Sequence, residues 1–250
     1  MKLLARIIPL ILLLPLLLAG CGLLQEVEEP SGELEAVPLA TSAVAEAEAP
    51  TEEPAEAPAQ ESAEEPAEVP AGEAALFEIL PGESSVRFEL DEILRGEPVT
   101  VVGATDQVAG QLSIDLADLG NTRVGEIRIN ARTLATDNNF RNRAINNEIL
   151  DTGDYEFISF VPTSIQGLAG SAVVGEEISF SMTGDLTIRD ITAEATFDVR
   201  ATLVSDTEIR GTASTIVQRA DYDLRIPEVP SVANVEEEVE LYIDFVANAS

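Results

Sequence analysis

The chain of 250 residues has no His, no Trp, a single Cys and a single Lys. The absence of His removes Ser–His–Asp triads, Cys–His dyads and His-ligated zinc sites together. One Cys, Cys21, allows neither an internal disulfide nor a thiolate cluster. Basic residues are scarce, 14 against 46 acidic ones, for a formal net charge of −32. Phosphate backbones are bound by Lys and Arg, so this balance argues against a nucleic-acid partner. No Gly-rich phosphate loop is present either. Aromatic residues make up only 4% of the chain, but 45% of it is hydrophobic, enough for a core if those residues are concentrated.

They are concentrated unevenly, and the chain divides into three zones. In residues 1–21, Lys2 and Arg6 precede an Ile/Leu-rich run from Ile7 to Leu18, broken by Pro9 and Pro15. A run this short, closed by small residues, reads as an export signal rather than a membrane span. Its ending, Leu18-Ala19-Gly20-Cys21, resembles the bacterial lipobox. That resemblance implies cleavage before Cys21 and acylation of its thiol and amine. One acyl chain anchors only marginally and two anchor stably. The expectation is an extracytoplasmic protein held on a bacterial membrane through lipidated Cys21. Gly22 follows the Cys, not the Asp that often retains lipoproteins at an inner membrane. Which membrane holds the chain stays open.

Residues 22–76 read as a linker. Cys21–Leu76 carries 15 Glu and neither Asp nor a basic residue, and from Glu46 it cycles through Ala, Glu and Pro. Between Val44 and Leu76 the only large apolar side chain is Val69. Such a segment cannot bury enough surface to offset the entropy of ordering it. Pro and like charges extend it, and some 55 residues at about 3.1 Å each would reach roughly 170 Å. A disordered tether is the expectation.

Residues 77–250 hold the remaining 31 acidic residues and 12 Arg. Period-2 alternation dominates. Val86, Phe88 and Leu90 alternate with Arg87 and Glu89; Ile178, Phe180, Met182, Gly184, Leu186 and Ile188 form the longest clean run. Comparable runs follow Ala193 to Leu203 and Val239 to Ala247. One apolar and one polar face per strand is the pattern of antiparallel sheet. Strands this long around one core favour a closed barrel over exposed edges. Asp137–Leu150 breaks the pattern: Phe140, Ala144 and Ile145 recur at helical spacing, with Asp137 or Asn138 able to cap the start. The expected fold is all-β, an eight-stranded antiparallel lipocalin-like barrel with one short helix or a pair of helical turns.

Four segments, in order, resemble the YceI-like family: Thr133 to Ile145, Tyr155-Glu156-Phe157-Ile158-Ser159-Phe160-Val161-Pro162-Thr163, Gly184-Asp185-Leu186-Thr187-Ile188-Arg189-Asp190-Ile191-Thr192, and Arg219-Ala220-Asp221-Tyr222-Asp223-Leu224. The resemblance covers about residues 79–247. It departs from the family pattern at Asn142, Ala144, Glu156, Asp190 and Asp223, where the family has Asp, His, Pro, Gly and Gly. The changes at Asn142 and Ala144 bear on any polar ligand contact made there. The resemblance implies a barrel that holds a long polyisoprenoid chain, such as a quinone tail.

An eight-stranded barrel has room for packed side chains or one slim ligand. The residues alone leave both open, because an inward set of Phe can fill a core as well as line a cavity. If a chain is held, the expected lining is Phe88, Phe160, Phe180, Met182, Leu186, Phe197, Val199, Ile243 and Phe245. Met182 and Phe197 fall mid-strand, where bulk would block a tunnel. Arg141, Arg143 and Arg189 are candidate headgroup contacts or surface ion-pair partners. Carboxylate pairs such as Asp221/Asp223 and Asp115/Asp118 could serve a hydrolase, but in so acidic a chain they read as solvated surface. Asp151 and Asp154 with Asn146 and Asn147 lack EF-hand spacing. The expected function is a non-enzymatic carrier or sequestering protein with no metal and no cofactor beyond its lipid or quinone-like ligand. The alternatives are an envelope interaction module with a filled barrel and, third, a carboxylate-pair hydrolase.

Overall fold

The computed structural model describes residues 26–39 and 74–250. The export signal with Cys21 lies outside the described residues, as do residues 40–73 of the linker. Among the described residues the strands are β1 (Ala75–Ile79), β2 (Ser85–Leu94), β3 (Glu97–Thr105), β4 (Val108–Ile114), β5 (Arg123–Val124), β6 (Ile127–Asn130), β7 (Phe157–Gln166), β8 (Glu177–Ile188), β9 (Ile191–Ser205), β10 (Glu208–Gln218), β11 (Val232–Ala233) and β12 (Glu238–Ala249). The one α-helix among the described residues, α1 (Asn139–Ala144), falls between β6 and β7.

The antiparallel order β1-β4-β6-β7-β8-β9-β10-β12 closes on itself, because β1 also pairs with β12. β2 pairs with the other half of β12 and with β3. β1 with β2, and β3 with β4, thus act as two long staves, each interrupted once. The barrel has eight staves. The ring closes through β1 and β12, while β3 pairs along one edge with β2 and on the other makes only the Ala104–Ala135 bridge.

Alternation explains the strand faces. In β9, Ala195, Phe197, Val199 and Leu203 are buried while Glu194, Thr196, Asp198 and Arg200 are exposed. Inward Phe rings need space, and glycine supplies it. Phe88 stands opposite Gly103 and Phe245 opposite Gly211, and a Cβ on either glycine would collide with the ring. Gly184 makes the same room beside Phe160. The β2–β3 hairpin turns on Arg95-Gly96, both at positive φ, the backbone of a two-residue type I′ turn. Asp223 sits at φ 47°, where the family pattern has Gly, and its carboxylate is 3.0 Å from Arg225.

The expected helical segment is an α-helical turn that runs into a π turn over Ile145–Ile149. Asn138 caps it, accepting hydrogen bonds from the Phe140 and Arg141 N–H groups. Asn146, almost wholly buried, donates to the Asn142 carbonyl and accepts from the Thr152 hydroxyl. That clip ties the end of the segment to Thr152.

One expectation needs correction. Residues 26–39, read as part of a free linker, lie against the barrel wall. Leu34 is buried, the Ser31 N–H donates to Glu156 at 2.8 Å, and the Leu39 N–H donates to the Gln111 side chain at 2.9 Å. Arg132 pairs with Glu28 at 3.1 Å and Glu156 at 3.2 Å and donates to the Glu29 carbonyl. The burial of Leu34 helps offset the ordering cost of this stretch, and Ala75 and Leu76, read as the end of the linker, instead open β1.

Candidate functional site

The interior divides along the barrel axis. At the end carrying the β9–β10 turn and β1, the buried residues Phe77, Ile79, Leu112, Leu203, Ile209 and Ala247 pack in the core. At the opposite end lie the β2–β3 turn, α1, the β8–β9 turn and the crossover between β10 and β12. There the barrel encloses a cavity of about 540 Å³. This falls in the range of small-molecule sites.

The cavity wall is mostly apolar, with Arg87, Glu92, Arg95, Asn138, Arg141, Arg219 and Ser231 as its polar members. β2 contributes Val86, Phe88 and Leu90, β12 contributes Val239, Leu241 and Ile243, and the α1 segment contributes Leu134, Ala144, Ile145 and Ile149. Phe160 and Phe197, edge to face with centroids 4.8 Å apart, lie between the cavity and the packed half. At the rim, Phe140 is 69% exposed and Val229 36%.

Five of the nine expected lining residues are brought together here: Phe88, Phe160, Leu186, Phe197 and Ile243. Phe180, Met182, Val199 and Phe245 are not among the lining residues; they pack with the core, Met182 opposite Phe197 and Phe245 over Gly211. Of the two mid-strand residues, Phe197 lines the cavity, whereas Met182, like Phe245 over Gly211, packs in the core.

Of the three candidate headgroup residues, only Arg141 reaches the cavity. Its guanidinium is held by Glu92 at 3.0 Å and Asp137 at 2.7 Å, so its charge is already met by two carboxylates. Glu92 is 7% exposed. The pair joins α1 to β2 across the rim. Arg189 is not on the cavity wall: it donates to the Ile149 carbonyl and lies over the Tyr155 ring, bracing the β8–β9 turn against the π turn. Arg143 does not line the cavity either.

Two contributors escaped the sequence reading. Glu92 looked like one of many surface acids, although it stands between Asp91 and Ile93 in an alternating strand. The crossover supplies Leu224, Ile226, Val229, Val232 and Val235. Their spacing fits neither helix nor strand, and such apolar residues in a loop were the available signal. Arg219 holds this crossover: nearly buried, it donates to the carbonyls of Leu224, Val235 and Glu236 and pairs with Glu237 at 2.8 Å. Beside it, burial and then the Asp221 charge push the Tyr222 phenol up to about 12. It stays neutral at any physiological pH.

The carboxylates of the Asp115/Asp118 pair are engaged in local turn hydrogen bonds, and Asp223 of the other pair meets Arg225. Asp115 accepts from the Ala117 and Asp118 N–H groups and from Asn121, while Asp118 accepts from the Gly120 N–H. Among the described residues, no group of three His, Cys, Asp or Glu side chains is placed to hold a metal ion.

A closed antiparallel barrel of eight staves with an apolar cavity at one mouth is the architecture of a lipocalin-like binding protein. The YceI-like domain model matches residues 77–247, and the chain belongs to that family. A polyisoprenoid-binding domain from Saccharophagus degradans implicated in plant cell wall breakdown superposes with a TM-score of 0.56 at 14% identity, covering 70% of this chain and 98% of that one. BcnA of Burkholderia cenocepacia gives 0.51 at 18% identity, covering 66% and 96%. The YceI protein of Campylobacter jejuni gives 0.50 at 15%, covering 59% and 84%. At these identities the likeness is one of fold. No curated protein matches the chain.

Proposed function

We propose that this protein carries or sequesters a long apolar lipid, of the polyisoprenoid or quinone-tail class, at the bacterial cell envelope, anchored by acylated Cys21. The observation that carries the proposal is the cavity of about 540 Å³ with its mostly apolar wall. Transfer of an apolar chain from water into such a space gains about 0.8 kcal/mol for each buried methylene. A filled interaction barrel would leave no apolar cavity of this size inside. The polyisoprenoid-binding domain from Saccharophagus degradans supports the ligand class through its shared fold.

Two substitutions test the reading together. Ile243→Trp adds bulk to the cavity wall, so it should lower binding of a polyprenyl probe at least tenfold while the barrel stays folded. Met182→Trp overpacks the packed half, so it should cost about 1–3 kcal/mol of stability and leave probe affinity near wild type. Equal loss of binding in both variants, or in neither, would overturn this assignment of the site.

A further inference from the structure

We infer that residues 26–39 are a docking strap that holds the cavity mouth against the membrane carrying the lipid anchor, so that the barrel exchanges its ligand directly with that bilayer. This rests on the acylation of Cys21 proposed above.

The first observation is where the strap begins. Glu28 meets Arg132, and its carboxylate also lies close to where a Gly153 side chain would project. Arg132 is itself fixed by donation to the Thr152 and Gly153 carbonyls. Residues 131–153 also carry α1 and the cavity rim. From there the strap passes Glu156 and ends at Gln111, which lies beside Glu78 toward the packed half. Its N-terminal end is therefore at the mouth.

The second observation is chain length. Seven Cα steps separate Cys21 from Glu28, and a chain so short spans at most about 25 Å. An anchored barrel cannot stand off by the roughly 170 Å that a free 55-residue linker allows. Leu39 and Ala75 are both fixed on the barrel. The reach of the anchor is therefore set by the residues before Glu28 and not by the length of the chain between Leu39 and Ala75.

The third observation is the rim. Phe140 and Val229 expose apolar surface at the mouth, continuous with the cavity wall. A bilayer interface accepts such side chains.

The natural chain has no Trp, so one introduced indole reports its own position. Phe140→Trp and, at the opposite end, Asp206→Trp would be made in the full chain, purified from membranes and reconstituted in phosphatidylethanolamine–phosphatidylglycerol vesicles containing brominated lipid. Metabolic acyl labelling is read in parallel. The inference expects label on the protein, quenching in Phe140→Trp and none in Asp206→Trp. It also expects quenching to fall when a Gly/Ser insert of about twenty residues after Glu26 adds roughly 25 Å of reach. Absence of label would remove the anchor and this inference with it. Label without quenching at Phe140→Trp, equal quenching at both ends, or quenching that survives the insert would overturn the strap alone and leave the anchor and the lipid cavity standing.

Discussion

Phe88, Phe160 and Phe245 each lie over a glycine on the neighbouring strand, and Gly103, Gly184 and Gly211 are where they are because an inward ring needs the volume a Cβ would take. Adding one carbon there should be felt through the whole packed interior. Gly103→Ala and Gly211→Ala should each lower stability by about 1–3 kcal/mol, read as a lower urea midpoint with an unchanged slope. A midpoint unchanged in both would mean that the rings have room to move. This pairing was only half legible in the sequence. Alternation placed each Phe on the inward face, but which glycine it faces depends on register across strands. For the same reason Phe88, Phe160, Leu186, Phe197 and Ile243 could be named as lining residues, while Phe180, Met182, Val199 and Phe245 could not be separated from them.

Among the elements, α1 is bound to the barrel rim through Arg141 and Glu92. Removing one partner of a largely buried pair leaves the other unmet. Arg141→Ala should therefore cost about 1–3 kcal/mol, more than a surface ion pair would. It should also speed hydrogen exchange in residues 139–149. Exchange at the wild-type rate would show that the pair does not hold the helix.

The strap has its own pH dependence. Burial raises the Glu156 carboxyl, but hydrogen bonds from Ser31 and Asn130 and the Arg132 charge outweigh it and hold it below its ordinary 4.5. A carboxylate lowered in the folded state adds stability above its ordinary value and loses it as pH falls through the lowered one. Protection of the residue 26–39 amides should therefore be full near neutrality and collapse in acid, below pH 4.5. In Glu156→Gln it should be weaker and lose that dependence. Protection unchanged from pH 7 to pH 3 in the wild type would contradict this. The helical segment could be read from spacing and from Asn138, both local signals. The strap could not, because its partners Gln111, Arg132 and Glu156 lie far along the chain, and the Glu and Pro around it hid the apolar content of Leu34 and Leu39.

At the scale of the molecule, the barrel keeps two tasks apart along its axis. The packed half supplies stability, and the half capped by α1 and the crossover keeps a space open. Closed-barrel architecture was legible from the long alternating runs, since a wrapped sheet of such strands has few other ways to hide its edges. The cavity was not, because its ceiling comes partly from the crossover held by Arg219, which has no periodic signature, and partly from a helix whose spacing is legible but whose attachment through Glu92 is not. The central claim is that this space holds a long apolar chain, and mass spectrometry of the protein released gently from its own membranes tests it most directly. The account predicts one prenyl-type lipid bound per chain in the wild type and little in Ile243→Trp purified in the same way. A wild-type protein that carries no apolar ligand under any growth condition, or an Ile243→Trp variant that carries as much, would contradict it.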